Sequence, residues 1–171
     1  MQRPAESDYA PAFAGYVSLV AEEDVLSVLE QQSSETQKLI SSLDEQRAAH
    51  RYAEGKWSVK EVIGHVTDAE RVFGYRAPCI ARGETNSLPG FDENAYMKYA
   101  NFDSWRLGDL AEAYALVRRS NIVLFRNLDE EAWNRRGIAN NNPITVRALA
   151  FVLAGHERHH LKVLRERYLV G

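Results

Sequence analysis

The sequence predicts an all-α protein, a four-helix bundle in which some connections are long crossovers. Four long segments carry apolar residues at helical spacing, and none shows sustained strand alternation. Connections of roughly 10 to 20 residues separate these segments. The length of 171 residues and the hydrophobic fraction of 45% are those of one globular domain. We therefore predict a single domain over residues 1–171, with residues 1–23 as an N-terminal extension that packs on the bundle.

The first two long helices are predicted over residues 24–43 and from Ser58 to about Gly83. The first has apolar positions at both ends and a polar middle. The second begins with Ser58-Val-Lys-Glu61, a capping box in which the serine and glutamate side chains satisfy free backbone N–H groups of the first turn. Pro78 is expected to kink or end the regular helix just before it. Gly83 is typical of a helix C-terminus.

The third and fourth long helices are predicted over residues 107–128 and 145–168. Residues 84–104 connect the second helix to the third, with a turn at Pro89-Gly90 and a short helix over residues 93–99. Residues 129–143 are interpreted as a connection with one helical turn around Trp133 and no strand.

Composition excludes several classes of function. The net charge of −3 provides no basic surface for nucleic acid. No apolar run reaches the length of a membrane span, and the first residues lack the apolar core of a signal peptide. The single cysteine, Cys79, rules out an internal disulfide and fits a reducing compartment. We expect a cytoplasmic protein that binds neither nucleic acid nor membrane.

Three histidines lie on predicted inward faces. His156 and His160 are four residues apart, so they differ by about 40° in direction and about 6 Å in height. His65 holds an inward position on the second helix. Buried imidazoles need partners, and one divalent metal would satisfy all three while leaving a position for water. His159 falls at the edge of the apolar stripe, and His50 lies in a connection with no assigned role.

The residues from His156 to His160 also spell H-E-x-x-H, the pattern of zinc proteases. Such enzymes take a third ligand, usually downstream, but no histidine follows His160 and the chain ends within this helix. They also commonly align substrate along a strand, and none is predicted. Glu157, the general base of that pattern, lies off the apolar stripe and is interpreted as a solvated carboxylate. The protease hypothesis is rejected, and His65 is the natural third ligand.

Four other residues near the inward faces have expected roles outside the metal triad. Arg76 is expected to pair with an acidic residue such as Asp92, or to bind a substrate anion. Asn121 lies on the apolar stripe of the third helix and predicts a local polar bridge or a contact to a metal ligand. Glu70 points away from His65 and is interpreted as solvated. Trp57 precedes the capping serine and is expected to pack the start of the helix against the core, with a role in a pocket as the alternative.

Four passages give the chain its family resemblance, namely RPAESDYAPAFAGYVSLV, YAEGKWSVKEVIGHVTDAERVFGYR, LPGFDENAY and RALAFVLAGHERHHLKVLRERY. With them the chain resembles the DinB-like superfamily, including its YfiT-like metal-binding members. The resemblance implies an up-down-down-up bundle with a long crossover between the second and third helices. It also implies a metal triad of His65, His156 and His160, and a homodimer.

The resemblance leaves the reaction open. Some relatives are thiol-dependent transferases that use bacillithiol or mycothiol, and others are described as metal-dependent hydrolases. It implies a divalent metal (zinc, nickel, iron or manganese), with a low-molecular-weight thiol as a further cofactor and a small molecule as substrate. The alternative is a non-catalytic bundle with a structural metal site that acts through dimerisation or a protein partner. The sequence assigns no catalytic residue.

Overall fold

A computed structural model describes residues 2–170 and confirms the four-helix bundle. The four long helices α2, α4, α6 and α8 lie close to the predicted ranges. Within residues 2–170, none of the helices is both long and apolar enough to span a membrane. The elements in chain order are α1 (Ala14–Ser18), α2 (Val25–Ser41), α3 (Glu45–Ala48), α4 (Val59–Ala81), α5 (Glu93–Ala100), α6 (Leu107–Arg126), α7 (Glu130–Asn134), β1 (Arg136–Ala139), β2 (Asn142–Thr145) and α8 (Val146–Arg167).

Helices α4 and α6 run parallel to each other. Near the start of α4, Lys60 Nζ donates to the Trp105 carbonyl just before α6 (2.7 Å). Further along both helices, Asn121 Nδ2 donates to the Glu70 carbonyl (3.0 Å). Because parallel neighbours cannot be joined by a tight turn, residues 82–106 form the long crossover, which contains α5.

Helices α2 and α8 are also parallel. Gln32 Nε2 donates to the Ala154 carbonyl (2.8 Å), and one turn on, Thr36 Oγ1 donates to Glu157 Oε1 (2.6 Å).

Helix α8 runs antiparallel to α4. Tyr168, at the end of α8, donates its hydroxyl hydrogen to the Trp57 carbonyl just before α4 (2.6 Å), while further along α4 the ring of Phe73 lies near that of His156. The order is therefore up-down-down-up, as the family resemblance implies.

Helix α4 continues through Pro78, so the helix does not end before this residue, which was one of the two expectations. The helix ends at Ala81, and the Arg82 N–H donates to the Pro78 carbonyl (3.1 Å). Ala77 and Ile80 are buried in the core on either side of the proline, and this packing stabilises the last turn. Gly83 then adopts a positive φ of 90°, typical of a helix C-terminus.

A β-hairpin replaces part of the connection predicted over residues 129–143, so the expectation of no strand is wrong. Strands β1 and β2 pair antiparallel, with Gly137 opposite Ile144. The two turn residues, Asn140 and Asn141, have φ values of 52° and 59°. Positive φ at both positions is typical of a type I′ turn, which asparagine tolerates well. Asn-Asn between two short segments was the signal available in the sequence.

The N-terminal segment packs on α8 through its helix α1. The two helices approach closely at Gly155 of α8, where an added Cβ atom would lie only 2.0 Å from the Tyr16 carbonyl oxygen. Glycine at position 155 therefore allows the backbone of α1 to contact α8. Gly155 immediately precedes His156, so α1 lies beside the predicted metal site.

Candidate metal centre

The three histidines predicted as a metal triad come together between α4 and α8. One nitrogen atom from each of His65, His156 and His160 lies within 4.8 Å of the other two. His65 Nε2 and His156 Nε2 are 3.0 Å apart, and the three ring centroids are 4.5–4.9 Å from one another. Among residues 2–170, this is the one group of three or more potential metal-ligating side chains.

Local sequence explains how the triad is positioned. The capping box fixes the start of α4, because Ser58 Oγ accepts a hydrogen bond from the Glu61 N–H (3.0 Å) and Glu61 Oε2 accepts one from the Ser58 N–H (2.7 Å). His65 follows two turns later on the face toward α8. On α8, the four-residue spacing places His156 and His160 one above the other on the face toward α4.

The imidazoles are neutral at neutral pH. His65 and His156 are only 5% and 6% exposed. Burial, followed by the neighbouring histidines, lowers the pKa of His156 to about 3 and that of His160 to about 2. The pKa of His65 is also lowered, mainly by burial. A neutral imidazole keeps the lone pair that a metal ion requires, so the site is prepared for a cation.

A cavity of about 310 Å³ opens onto the three histidines. Five aromatic side chains line it, and they come from the N-terminal segment, the start of α4, α4 itself and the crossover. These aromatic residues are Phe13, Tyr16, Trp57, Phe73 and Phe91. The Trp57 ring lies 5.1 Å from the His65 ring, centroid to centroid, so Trp57 contacts the triad. Sequence analysis missed Phe13, Tyr16 and Phe91, because their segments show no periodicity.

Four further polar residues line the cavity, namely Arg76, Glu93, Asn140 and His159. His159 is exposed, with its ring 5.0 Å from that of His160. Asn140 belongs to the hairpin turn that the sequence did not predict.

The expected pairing of Arg76 with Asp92 is wrong. Asp92 instead caps α5 by accepting from the Asn94 and Ala95 N–H groups (2.9 and 3.1 Å). Arg76 donates to the Pro89 carbonyl (2.6 Å).

A second polar cluster lies in the bundle core and contradicts the interpretation of Glu157 and Glu70 as solvated. Each glutamate is only 1% exposed, and both pair with Arg118 of α6, which is fully buried. Arg118 Nη2 lies 2.6 Å from Glu157 Oε2. Tyr114 also donates its hydroxyl hydrogen to Glu157. Sequence analysis of α6 considered Asn121 but missed Arg118, although Arg118 lies four residues after Tyr114 and three before Asn121.

Asn121 forms the local polar bridge that was one of its two predicted roles. Its Nδ2 donates to Glu70 Oε2 (2.8 Å) as well as to the Glu70 carbonyl. Burial, followed by the charge of Glu157, raises the pKa of Glu70. Glu157 does not line the cavity, and both its carboxylate oxygens are bonded in the core. The position that supplies the general base in H-E-x-x-H proteases therefore has a structural role here.

Comparisons with known proteins agree with this geometry. The DinB superfamily matches residues 29–164 of the chain. A protein of Oceanobacillus iheyensis, named as a putative metal-dependent hydrolase, is 26% identical over 145 residues, which cover 81% of this chain and 82% of that protein.

Two solved structures share the fold. YfiT from Bacillus subtilis, described as a probable metal-dependent hydrolase with an unusual four-helix bundle topology, superposes with a TM-score of 0.74 at 17% identity, covering 95% of this chain and 91% of YfiT. A mycothiol-dependent maleylpyruvate isomerase superposes with a TM-score of 0.66 at 15% identity, covering 80% of this chain and 58% of the isomerase. The up-down-down-up bundle and the family match lead to one conclusion: the chain belongs to the DinB superfamily.

Proposed function

We propose that this protein is a metal-dependent hydrolase whose divalent metal ion is held by His65, His156 and His160. The convergence of three neutral imidazoles at the wall of a cavity carries the proposal. The name of the Oceanobacillus iheyensis relative supports it. A cavity of about 310 Å³ fits a small-molecule substrate.

The donor set fits a divalent transition metal. Imidazole nitrogen suits zinc, nickel and iron. Zinc–nitrogen bonds of about 2.0–2.1 Å require two ligand nitrogens within about 4 Å of each other, and His65 Nε2 and His156 Nε2 meet this requirement at 3.0 Å. With His65, His156 and His160 as its three protein ligands, a bound ion would keep a coordination position for water or substrate. When bound, such an ion polarises a carbonyl group and lowers the pKa of water.

The residues around the triad define what the chain itself contributes. The aromatic side chains of the cavity wall offer flat apolar surfaces to an organic substrate. Glu157 is unable to accept a proton from the cavity, since Arg118, Tyr114 and Thr36 hold its carboxylate in the core. Within the described part of the chain, Glu93 is the one carboxylate that lines the cavity and is placed to accept a proton there.

Metal analysis of the purified protein tests the triad. We expect stoichiometric metal in the wild type and in His50→Ala, a matched control because His50 is exposed and lies outside the site. His65→Ala and His160→Ala should each lose most of the metal at equal protein concentration. Full metal content in both variants would show that the triad is wrong. Ester and amide panels with the loaded enzyme then test hydrolysis.

A second candidate is a thiol-dependent transferase. The fold shared with a mycothiol-dependent isomerase favours it, and a thiolate is a suitable ligand for an open position on a zinc-like ion. A panel of bacillithiol, mycothiol and glutathione with an electrophile separates the two reactions. Thiol-dependent turnover without hydrolysis of the ester and amide panels would favour the transferase.

A further inference from the structure

The guanidinium of Arg76 has an unusual environment in the cavity wall. Arg76 is only 4% exposed, and its Nη2 donates to the Pro89 carbonyl (2.6 Å). Its Nε–H group is buried and has no hydrogen-bond partner. Within residues 2–170, no carboxylate oxygen lies within 4.0 Å of this guanidinium. Arg76 thus places a cation in the cavity wall, with one buried donor that the described residues leave unbonded.

Arg118 provides the internal comparison. It is more deeply buried, at 0% exposed, but two carboxylates surround it, and they raise its pKa despite the opposing effect of burial. Burial alone acts on Arg76, and it lowers the pKa of that side chain. Removing a charge from water without a counterion is unfavourable, so proteins normally pair such groups. Among the described residues, Arg118 has two carboxylate partners and Arg76 has none.

The position of Arg76 connects it to the histidines. Its Cζ atom lies over the Phe73 ring, 5.6 Å from the centroid, and that ring lies 6.1 Å from the His156 ring. The guanidinium and the triad therefore both lie near one aromatic side chain. A small molecule can contact Arg76 at one end and the triad at the other, within a cavity of about 310 Å³.

We propose that Arg76 is the anion-binding residue of the cavity and that the substrate is a small organic carboxylate. One guanidinium offers a fork of donors that matches a carboxylate. A phosphate dianion would favour more positive charge than this cavity provides, where Arg76 is accompanied by the carboxylate of Glu93. As a statement about the substrate of the reaction, the inference rests on the proposed function, because the end of the molecule opposite its carboxylate group would face the metal site.

Binding of benzoate and of its neutral isostere benzamide tests the anion site. Titrations followed by tryptophan fluorescence, with the protein as purified and again after chelation, exploit Trp57 in the cavity wall. We expect benzoate to bind at least about tenfold more tightly than benzamide in both forms, because a charge-assisted hydrogen bond is lost with benzamide. Arg76→Gln should abolish this preference, and Arg76→Lys should retain part of it.

Two controls keep the result interpretable. Arg119→Gln removes an exposed arginine outside the cavity and should keep the full preference. If Arg76→Gln folds poorly, arginine Nε–H resonances of the ¹⁵N-labelled wild type provide the readout. The resonance that is missing from the spectrum of Arg76→Lys is assigned to Arg76. Benzoate should shift this resonance in the wild type. Equal affinity for the two ligands, unchanged preference in Arg76→Gln, or an unmoved Arg76 resonance would overturn the proposal.

The anion site and the metal proposal can fail independently. Metal content of Arg76→Gln should equal that of the wild type, because Arg76 lies outside the triad. Benzoate preference in chelated protein with no metal in the purified wild type would contradict the metal proposal and support the anion site. Stoichiometric metal with no preference for benzoate would support the metal proposal and contradict the anion site.

Discussion

Two polar clusters lie in one bundle, and they meet at consecutive residues of α8. His156 faces the cavity with His65 and His160, whereas Glu157 turns into the core and pairs with Arg118. The core cluster satisfies its own charges, with an arginine between two carboxylates and further donors around them. The histidine cluster has no countercharge among its ligand groups and borders open space.

The core cluster contributes to the stability of the fold, whereas the histidine cluster is available for function. Polar groups that find all their partners within the chain specify how the helices pack. Polar groups that stay neutral and incompletely bonded beside a cavity are available to a ligand. Sequence spacing alone does not distinguish the two, because His156 and Glu157 differ by only one position on the same helix.

The largest expected effect on stability follows from removal of Arg118, the cation of the core cluster. Arg118→Met would leave Glu70 and Glu157 buried without a countercharge, so the free energy of unfolding should fall by about 3–5 kcal/mol. Urea unfolding of chelated protein measures it. His160→Ala, the corresponding change in the other cluster, should lower it by only about 1 kcal/mol. Equal effects would show that the clusters do not differ in this way. Adding Glu70→Gln and Glu157→Gln to Arg118→Met should recover part of the loss.

The second effect is a dependence of stability on pH that belongs to the histidines. His156 and His160 titrate near 6.5 when unfolded, but at about 3 and about 2 when folded. Below pH 6.5 the unfolded state binds more protons, so the free energy of unfolding of metal-free protein should fall as pH decreases from 6.5 to 5. His160→Ala should reduce this slope by about 0.7 kcal/mol per pH unit at pH 6.5, where half of the unfolded chains carry the proton, and by about 1.3 kcal/mol per pH unit at pH 5.

The core cluster should show the opposite sign. Burial raises the pKa of Glu70, so the folded state holds its proton more tightly and this contribution to stability declines as pH rises above the ordinary glutamate value of 4.5. Urea unfolding of Glu70→Gln and His160→Ala across the same pH range separates the two contributions. A wild-type slope from pH 6.5 to 5 that His160→Ala leaves unchanged would contradict the assignment to the triad.

The smallest effect concerns the packing that supports Glu70. A Cβ atom at Gly74 would lie 2.3 Å from Asn121 Oδ1, so Gly74→Ala should displace Asn121 and lower the free energy of unfolding by about 1–2 kcal/mol. Gly108→Ala is the matched control, since nothing lies within 4 Å of its added Cβ atom. That variant should raise stability by about 0.5 kcal/mol, because alanine favours helix. Thermal unfolding of both distinguishes a steric cost from a general effect of glycine replacement.

Much of this molecule could be predicted from its sequence. The helices were found because apolar periodicity reports burial, and the capping box at Ser58 marked the start of α4. The three histidines were brought together by the same logic, since each lay on an inward face. The homodimer and the cytoplasmic location stay predictions.

What could not be predicted has a physical reason in each case. The partners of Glu157 depend on Arg118, and a buried ion pair between distant helices leaves no periodic signal. The cavity walls come from irregular segments, where local spacing does not report three-dimensional neighbours. The Asn140-Asn141 turn is a hairpin signal in the sequence, but each of its strands has only four residues, which is too short to show a clear alternation.

The origin of the cavity walls has a consequence for the diversity of this superfamily. The triad belongs to α4 and α8, while Phe13, Phe91 and Asn140 reach the cavity from three segments outside the four long helices. Mutations in those segments can reshape the space around a ligand without moving the imidazoles. A library that exchanges the N-terminal segment, the crossover or the hairpin should therefore change which compounds bind while metal content stays constant. The residues that bind the metal and the residues that select the ligand can therefore evolve separately, because they lie in different segments of the chain.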